Sequence, residues 1–261
     1  MRENRTTHHA TLLVNPAYLG RLQTALDLAV RVLEERRNNR PAFGEACGEM
    51  IDEIQSNKIN PFVCCFSLNP ESLPQWIAYA KNVTGFAIGF NRVKLEESLM
   101  HKLGADHAGA GEVDYDLSKY QWPIDKAMYE YLLEAAELVI LHGHVPIFHG
   151  VVLEKHFDAL WKIAALIKGP DFAWEKEWRL IAMPRQEDSS APLTMGQYTI
   201  ENRGTDGHEI PFFTFPFPAD CITEVYVGRK CHYWGNHDAL DDVLKSNCVH
   251  AKIIDSSITL R

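Results

Sequence analysis

Asp171-Phe-Ala-Trp-Glu-Lys-Glu-Trp-Arg-Leu-Ile-Ala-Met183 is the stretch on which the fold turns. Read as a strand, it sorts with a period of two. Phe172, Trp174, Trp178 and Leu180 fall on one face, and Glu175, Glu177 and Arg179 on the other. The apolar face needs a core to pack on. The charged face is either a solvated sheet surface or the floor of a charged cleft, and the two alternatives imply different proteins.

Working outward, the neighbouring segments alternate between helical and extended patterns. Leu19, Leu22, Leu26, Val30 and Leu33 recur at helical spacing and predict a helix over 17–37. Phe43, Cys47, Met50, Ile51 and Ile54 predict a second. Phe62-Val-Cys-Cys-Phe-Ser67 reads as a buried strand, and Ser72 with Pro74 opens a helix that runs to about Lys81. Strands are expected at 84–90 and 112–116, and helices at 93–102, 124–142 and 150–168. The remainder is mostly extended, at 197–201, 210–217 and 223–228. A helix over 236–246 capped by Asn236 and a last strand over 249–254 complete it, and 186–192 is expected to be a loop. Helices inserted among strands favour an α+β fold over a doubly wound α/β sheet. The chain is expected to form one domain over 1–261, with a helical N-terminal part (17–57) and a strand-rich C-terminal part (171–261).

With 261 residues the chain is long enough for a substantial core, and its 46% hydrophobic content is that of a globular protein. The formal net charge of -9 argues against non-specific nucleic-acid binding, which needs clustered Lys and Arg. The six cysteines form no CxxC pairing, so neither a zinc site nor a secreted disulfide framework is expected. No apolar run is long enough to span a bilayer, and the first residues are polar. The expectation is a soluble, cytoplasmic protein with no membrane partner.

Several side chains are of types that carry chemistry. Alternate strand positions would put the carboxyls of Glu175 and Glu177 about 7 Å apart on one face. Arg179, one step on, would help keep Glu177 ionised. A fixed carboxylate can stabilise positive charge developing on a sugar ring, and a second can orient or deprotonate a nucleophile. Ser67 ends an apolar strand and is either a turn residue or a hydroxyl for a ligand; without a GxSxG context it is no hydrolase nucleophile. Trp76 and Tyr79 lie three apart on one helix and form either core or an aromatic pair for stacking on a nicotinamide or adenine ring. His142, His144 and His149 cluster, but Gly143 and Pro146 prevent a regular helical His-x-x-x-His face, so no metal site is expected. Gly85 and Gly89 do not form a dinucleotide fingerprint.

Together these pieces resemble a known bacterial family, the one called domain of unknown function 2971. The resemblance rests on Phe62–Ser67, Gln75-Trp76-x-x-Tyr79 and Gly85–Phe90, and on Lys168-x-x-x-Phe172-x-x-Glu175-x-Glu177-Trp178-Arg179-Leu180. Ile222–Gly228 and the ending Ile254-Asp-Ser-Ser257 also fit, so that it spans about 15–261. The motif order further resembles that of ADP-ribosyltransferases, whose order is His on the first strand, Ser on a middle one and Glu-x-Glu on a later one. That likeness implies a split mixed or antiparallel sheet with inserted helices and NAD bound as a substrate. It also implies transfer of ADP-ribose to a macromolecule, protein or nucleic acid, a chemistry suited to a toxin or anti-phage role. Carried over, Glu177 is the catalytic residue with Glu175 assisting, and Ser67, Trp76, Tyr79 and Arg179 are the cofactor-binding set.

The family's opening motif departs here. Its Leu-Asn-Asp-x-x-Glu pattern reads Val14-Asn15-Pro16-Ala17-Tyr18-Leu19, and His8 and His9 align with the second strand rather than the first. Either the start lies upstream, a substitute anchors NAD, or activity is lost. The alternatives are therefore a non-catalytic binding or regulatory module of the same family and, third, a metal-dependent hydrolase or nuclease.

Overall fold

A computed structural model describes residues 8–13, 27, 30–31, 33–39, 44–56, 61–104, 107–142, 149–184, 198–204 and 209–259. The strands are β1 (His8–Leu13), β2 (Phe62–Ser67), β3 (Phe86–Phe90), β4 (Ala108–Glu112), β5 (Glu177–Ala182), β6 (Glu201–Arg203), β7 (Ile210–Phe217), β8 (Ile222–Val227) and β9 (Lys252–Asp255). The helices are α1 (Gly44–Ser56), α2 (Leu73–Tyr79), α3 (Arg92–Leu103), α4 (Gln121–His142), α5 (His149–Ala164) and α6 (Asp238–Ser246), and residues 33–39 are also helical. The fold is α+β, as the alternating patterns predict.

Two sheets form. The larger is antiparallel throughout, in the order β4-β5-β2-β1-β7-β6. β1 pairs along its whole length with β7, and among the described residues it meets β2 at Leu13–Val63. The smaller sheet has the order β3-β8-β9, antiparallel between the first two and parallel between the last two.

β5 is buried along its entire length, on both faces. Its even-numbered side chains, Trp178, Leu180 and Ala182, join Phe62, Phe213 and Phe215 under α3, where Leu95 and Leu99 are fully buried. Its odd-numbered side chains face the helical layer. There Ile181 and Val63 pack with Met50, Tyr131, Leu160 and Trp161 from α1, α4 and α5. Burial of each such large apolar side chain contributes about 1.5–3 kcal/mol, which fixes the register of the central strands.

The quoted stretch is not one strand. Residues Pro170–Glu175 form a 3-10 helix, and Lys176 takes a left-handed conformation, φ 46°, before β5 begins. Pro170 presets the helical φ, and the Phe172 N–H closes the turn on the Gly169 carbonyl. The alternation across 171–176 was therefore coincidental, and it leaves Trp174 44% exposed rather than in the core. Smaller shifts occur elsewhere. The strand expected at 112–116 lies at 108–112, and α6 starts at Asp238 with His237 before it, not capped by Asn236. The strand expected from Thr84 starts at Phe86, because Lys81, Asn82 and Val83 all take positive φ in the preceding turn. The loop expected at 186–192 and most of the 17–37 helix lie outside the described residues.

Candidate functional site: a buried charge cluster and an aromatic cleft

A charge cluster lies on one face of the β2–β5 pair, and a cleft at the end of the pair takes Phe66 and Trp178 from the other face together with Cys65 and Ser67 from the charged one. In the β2–β5 register Ser67 lies opposite Glu177, Cys65 opposite Arg179 and Phe66 opposite Trp178. Paired residues share a face, so the odd positions carry the charges and the even ones the aromatic rings.

The charged side chains on the odd-numbered face are buried, although Cys65 beside Arg179 is exposed. Glu177 is 9% exposed and Arg179 2%. Arg179 donates Nε and Nη2 to Glu177 Oε2 at 2.9 and 2.6 Å, and Nη1 to the Ala165 carbonyl at 2.7 Å. Lys168, just beyond α5, donates Nζ to Glu177 Oε1 at 2.8 Å and also to Glu175 Oε2. The same ammonium sits 4.9 Å from the centre of the Phe172 ring. The Glu177 N–H donates to the Tyr115 hydroxyl at 2.8 Å. Glu175 reaches the cluster from the 3-10 turn, not from alternate positions of one strand face.

Burial pushes the Glu177 carboxyl up, but the Arg179 charge and the hydrogen bonds from Lys168 and Glu175 outweigh it, so the net shift is downward. Glu175 shifts the other way, first by burial and then through its bond to Glu177, against the pull of Lys168. One cation is shared between two carboxyls, and Glu177, which also holds Arg179, keeps the charge.

The other site is a cleft of about 470 Å³ between the end of β2, helix α2 and the smaller sheet. Its volume is in the range of small-molecule pockets. Phe66 and Trp178 line it from the large sheet, Trp76 and Tyr79 from α2, and Phe86 and Ile88 from β3. Ser67 also borders it, but its hydroxyl donates to the Glu175 carbonyl at 2.8 Å. Gln75 Nε2 donates to the same carbonyl at 3.1 Å, which ties the α2 wall to the charge cluster. Trp76 and Tyr79 both reach the cleft, although burial separates them: Trp76 is 2% exposed and donates Nε1 to the Pro70 carbonyl, whereas Tyr79 is 81% exposed.

Of the residues singled out from sequence, Ser67, Trp76 and Tyr79 line the cleft, while Glu175, Glu177 and Arg179 do not. Two residues the sequence reading gave no role, Lys168 and Glu224, hold the cluster together and line the cleft respectively. Lys168 stood in the quoted motif, seven residues before Glu175, and Glu224-x-Tyr226 repeats the i, i+2 spacing on β8. Among the described residues, no group of three or more His, Cys, Asp or Glu side chains is placed to share a metal ion. His144 and the side chains of His142 and His149 lie outside the described residues. No described helix is long and apolar enough to cross a membrane.

Both sites meet along the segment from α2 to β5. Residues 75–180 match the family described as "Protein of unknown function (DUF2971)". The DUF2971 match begins at Gln75 on the cleft wall and ends at Leu180 in the central strand, and so takes in Lys168, Glu175, Glu177 and Arg179. It is narrower than the span over which the sequence resembles that family, and it leaves Ser67 and Glu224 outside. No curated protein and no solved structure matches the chain.

Proposed function

We propose that this chain is a binding module that takes a small molecule by a flat ring in the aromatic cleft, with the Lys168–Glu177–Arg179 cluster bracing the wall behind it. The observation that carries this reading is the division of labour across the β2–β5 pair. Phe66 and Tyr79 present ring surface to the cleft with Trp76 and Trp178 buried in its wall, whereas both oxygens of Glu177 accept hydrogen bonds from cations. A carboxylate so engaged is a structural group. Isothermal titration with nicotinamide and with adenosine tests the reading. Binding heat with wild type for at least one ring, lost in Tyr79→Ala, supports it; no heat with either compound contradicts it.

A second reading is NAD-dependent transfer of ADP-ribose to a macromolecular acceptor, as the distant family resemblance implies. It is favoured by Ser67 lying opposite Glu177 and by the opposed shifts of Glu175 and Glu177, which suit an acid and a base side by side. In this reading Glu177 exchanges one of its cationic partners for the ribose hydroxyls of NAD. Incubation with labelled NAD and cell lysate decides between the two. Labelling by wild type that is absent with Glu177→Ala supports transfer; equal labelling by both rejects the role of Glu177.

A further inference from the structure

The geometry points to a flat organic cation as the ligand of the aromatic cleft, with Glu224 as its counter-charge. This rests on the ring-binding reading of the cleft and adds the charge of what is bound.

β8 places Glu224 and Tyr226 on one face, two residues apart, and both line the cleft. Opposite Glu224 in the β3–β8 register is Gly89. A Cβ on Gly89 would stand 2.9 Å from Glu224 Cβ and 3.2 Å from Oε2, so the carboxylate lies in a hollow that a side chain would fill. Glu224 Oε2 accepts the Tyr226 hydroxyl at 3.2 Å, a neutral donor that fixes the carboxylate without cancelling its charge. Among the described residues no Lys, Arg or His makes an ion pair with Glu224.

The cationic side chain on the cleft wall is already committed. Arg92 donates Nη1 to Glu112 at 2.7 Å, and Glu112 lies outside the cleft lining. Three further donors of the wall are turned inward: Ser67 Oγ and Gln75 Nε2 to the Glu175 carbonyl, Trp76 Nε1 to the Pro70 carbonyl. Of the two charged side chains that line the cleft, Arg92 holds Glu112, whereas Glu224 holds no cation within ion-pair distance among the described residues, the nearest in register being Lys252 on β9, outside the lining. Half-burial strengthens the field of the Glu224 carboxylate, and the faces of Trp and Tyr rings attract cations for the same electrostatic reason. An anionic group beside Glu224 meets its repulsion.

Benzamidine and benzamide form a matched pair of probes. They share shape and ring, and at pH 7 only the first carries a positive charge. Titration calorimetry of the full chain is expected to show benzamidine binding about tenfold more tightly than benzamide. The preference should disappear in Glu224→Gln, which keeps the side-chain shape and the acceptor for Tyr226, and circular dichroism verifies its fold. In wild type the preference should also shrink with added sodium chloride, a readout independent of any variant. Equal affinities in wild type, or a preference that survives Glu224→Gln in a folded protein, overturn the cation assignment and leave ring binding intact. No binding of either probe overturns both.

Discussion

Arg179 gives two hydrogen bonds to a single oxygen of Glu177, two residues back on the same strand, at 2.9 and 2.6 Å. Neighbours at i and i+2 on a strand stand side by side, and the guanidinium bends over its own backbone to close the pair under α5. With Arg179 2% exposed, removing it leaves two buried carboxyls, Glu175 and Glu177, to share Lys168. Arg179→Ala should therefore cost about 3–5 kcal/mol of stability in chemical denaturation. A cost below about 1 kcal/mol would mean that solvent reaches the cluster.

The two carboxyls give stability opposite pH dependences. The lowered Glu177 contributes stability that is present above the ordinary carboxyl range and is lost as pH falls through its folded value. The raised Glu175 contributes stability that is present below that range and is lost as pH rises through its folded value. Their sum peaks near the ordinary carboxyl value, about 4.3. Urea midpoints of wild type and Glu175→Gln, compared from pH 3 to 8, should show the variant without the decline on the alkaline side of that peak. Parallel profiles would contradict the opposed shifts of the two carboxyls.

Gly228 connects the cleft to the end of β8. Its N–H donates to the Gly85 carbonyl at 3.0 Å, and an added Cβ would stand 2.4 Å from the Val83 carbonyl oxygen. Backbone occupies that space, so Gly228→Ala must displace the turn that follows α2. Overpacking of this kind costs about 1–3 kcal/mol, to be read from the thermal midpoint. An unchanged midpoint would mean that the turn yields freely.

Much of this arrangement was legible in the sequence, for identifiable reasons. Strands β2 and β7 stand where their apolar runs placed them, because both carry Phe residues that need a core. The period of two within 177–182 correctly divided Glu177 and Arg179 from Trp178 and Leu180. It failed to show what covers the charged side. That cover is the Lys168 segment just beyond α5, and only tertiary packing brings it over β5. The 3-10 turn escaped because Phe172 and Trp174 could be set on one face and Glu175 on the other of an extended chain, and the signal against it was Gly169-Pro170. The cleft was half visible. Trp76 and Tyr79 were identified, but the carboxylate facing them comes from β8, about 150 residues downstream in sequence.

The cysteines should differ in reactivity. Burial, and secondarily the neighbouring Cys65, pushes the Cys64 thiol up to about 12. Burial and then Asp220 push Cys221 up to about 11. Cys248 is exposed. Against an ordinary thiol near 8.5, the thiolate fractions of Cys221 and Cys64 fall by roughly 300-fold and 3,000-fold. Iodoacetamide at pH 7.5 with peptide mass mapping should label Cys248 first; comparable early labelling of Cys64 or Cys221 would contradict the packing around them.

The central claim is that the aromatic cleft, rather than the glutamate cluster, is where the ligand binds. Titration of nicotinamide into two folded variants tests it most directly. Tyr79 is largely exposed, so Tyr79→Ala should alter stability by no more than about 0.5 kcal/mol. This variant is expected to lose the binding heat of wild type, while Glu177→Gln, though less stable, retains it. Binding that survives Tyr79→Ala and vanishes in a folded Glu177→Gln would contradict the account.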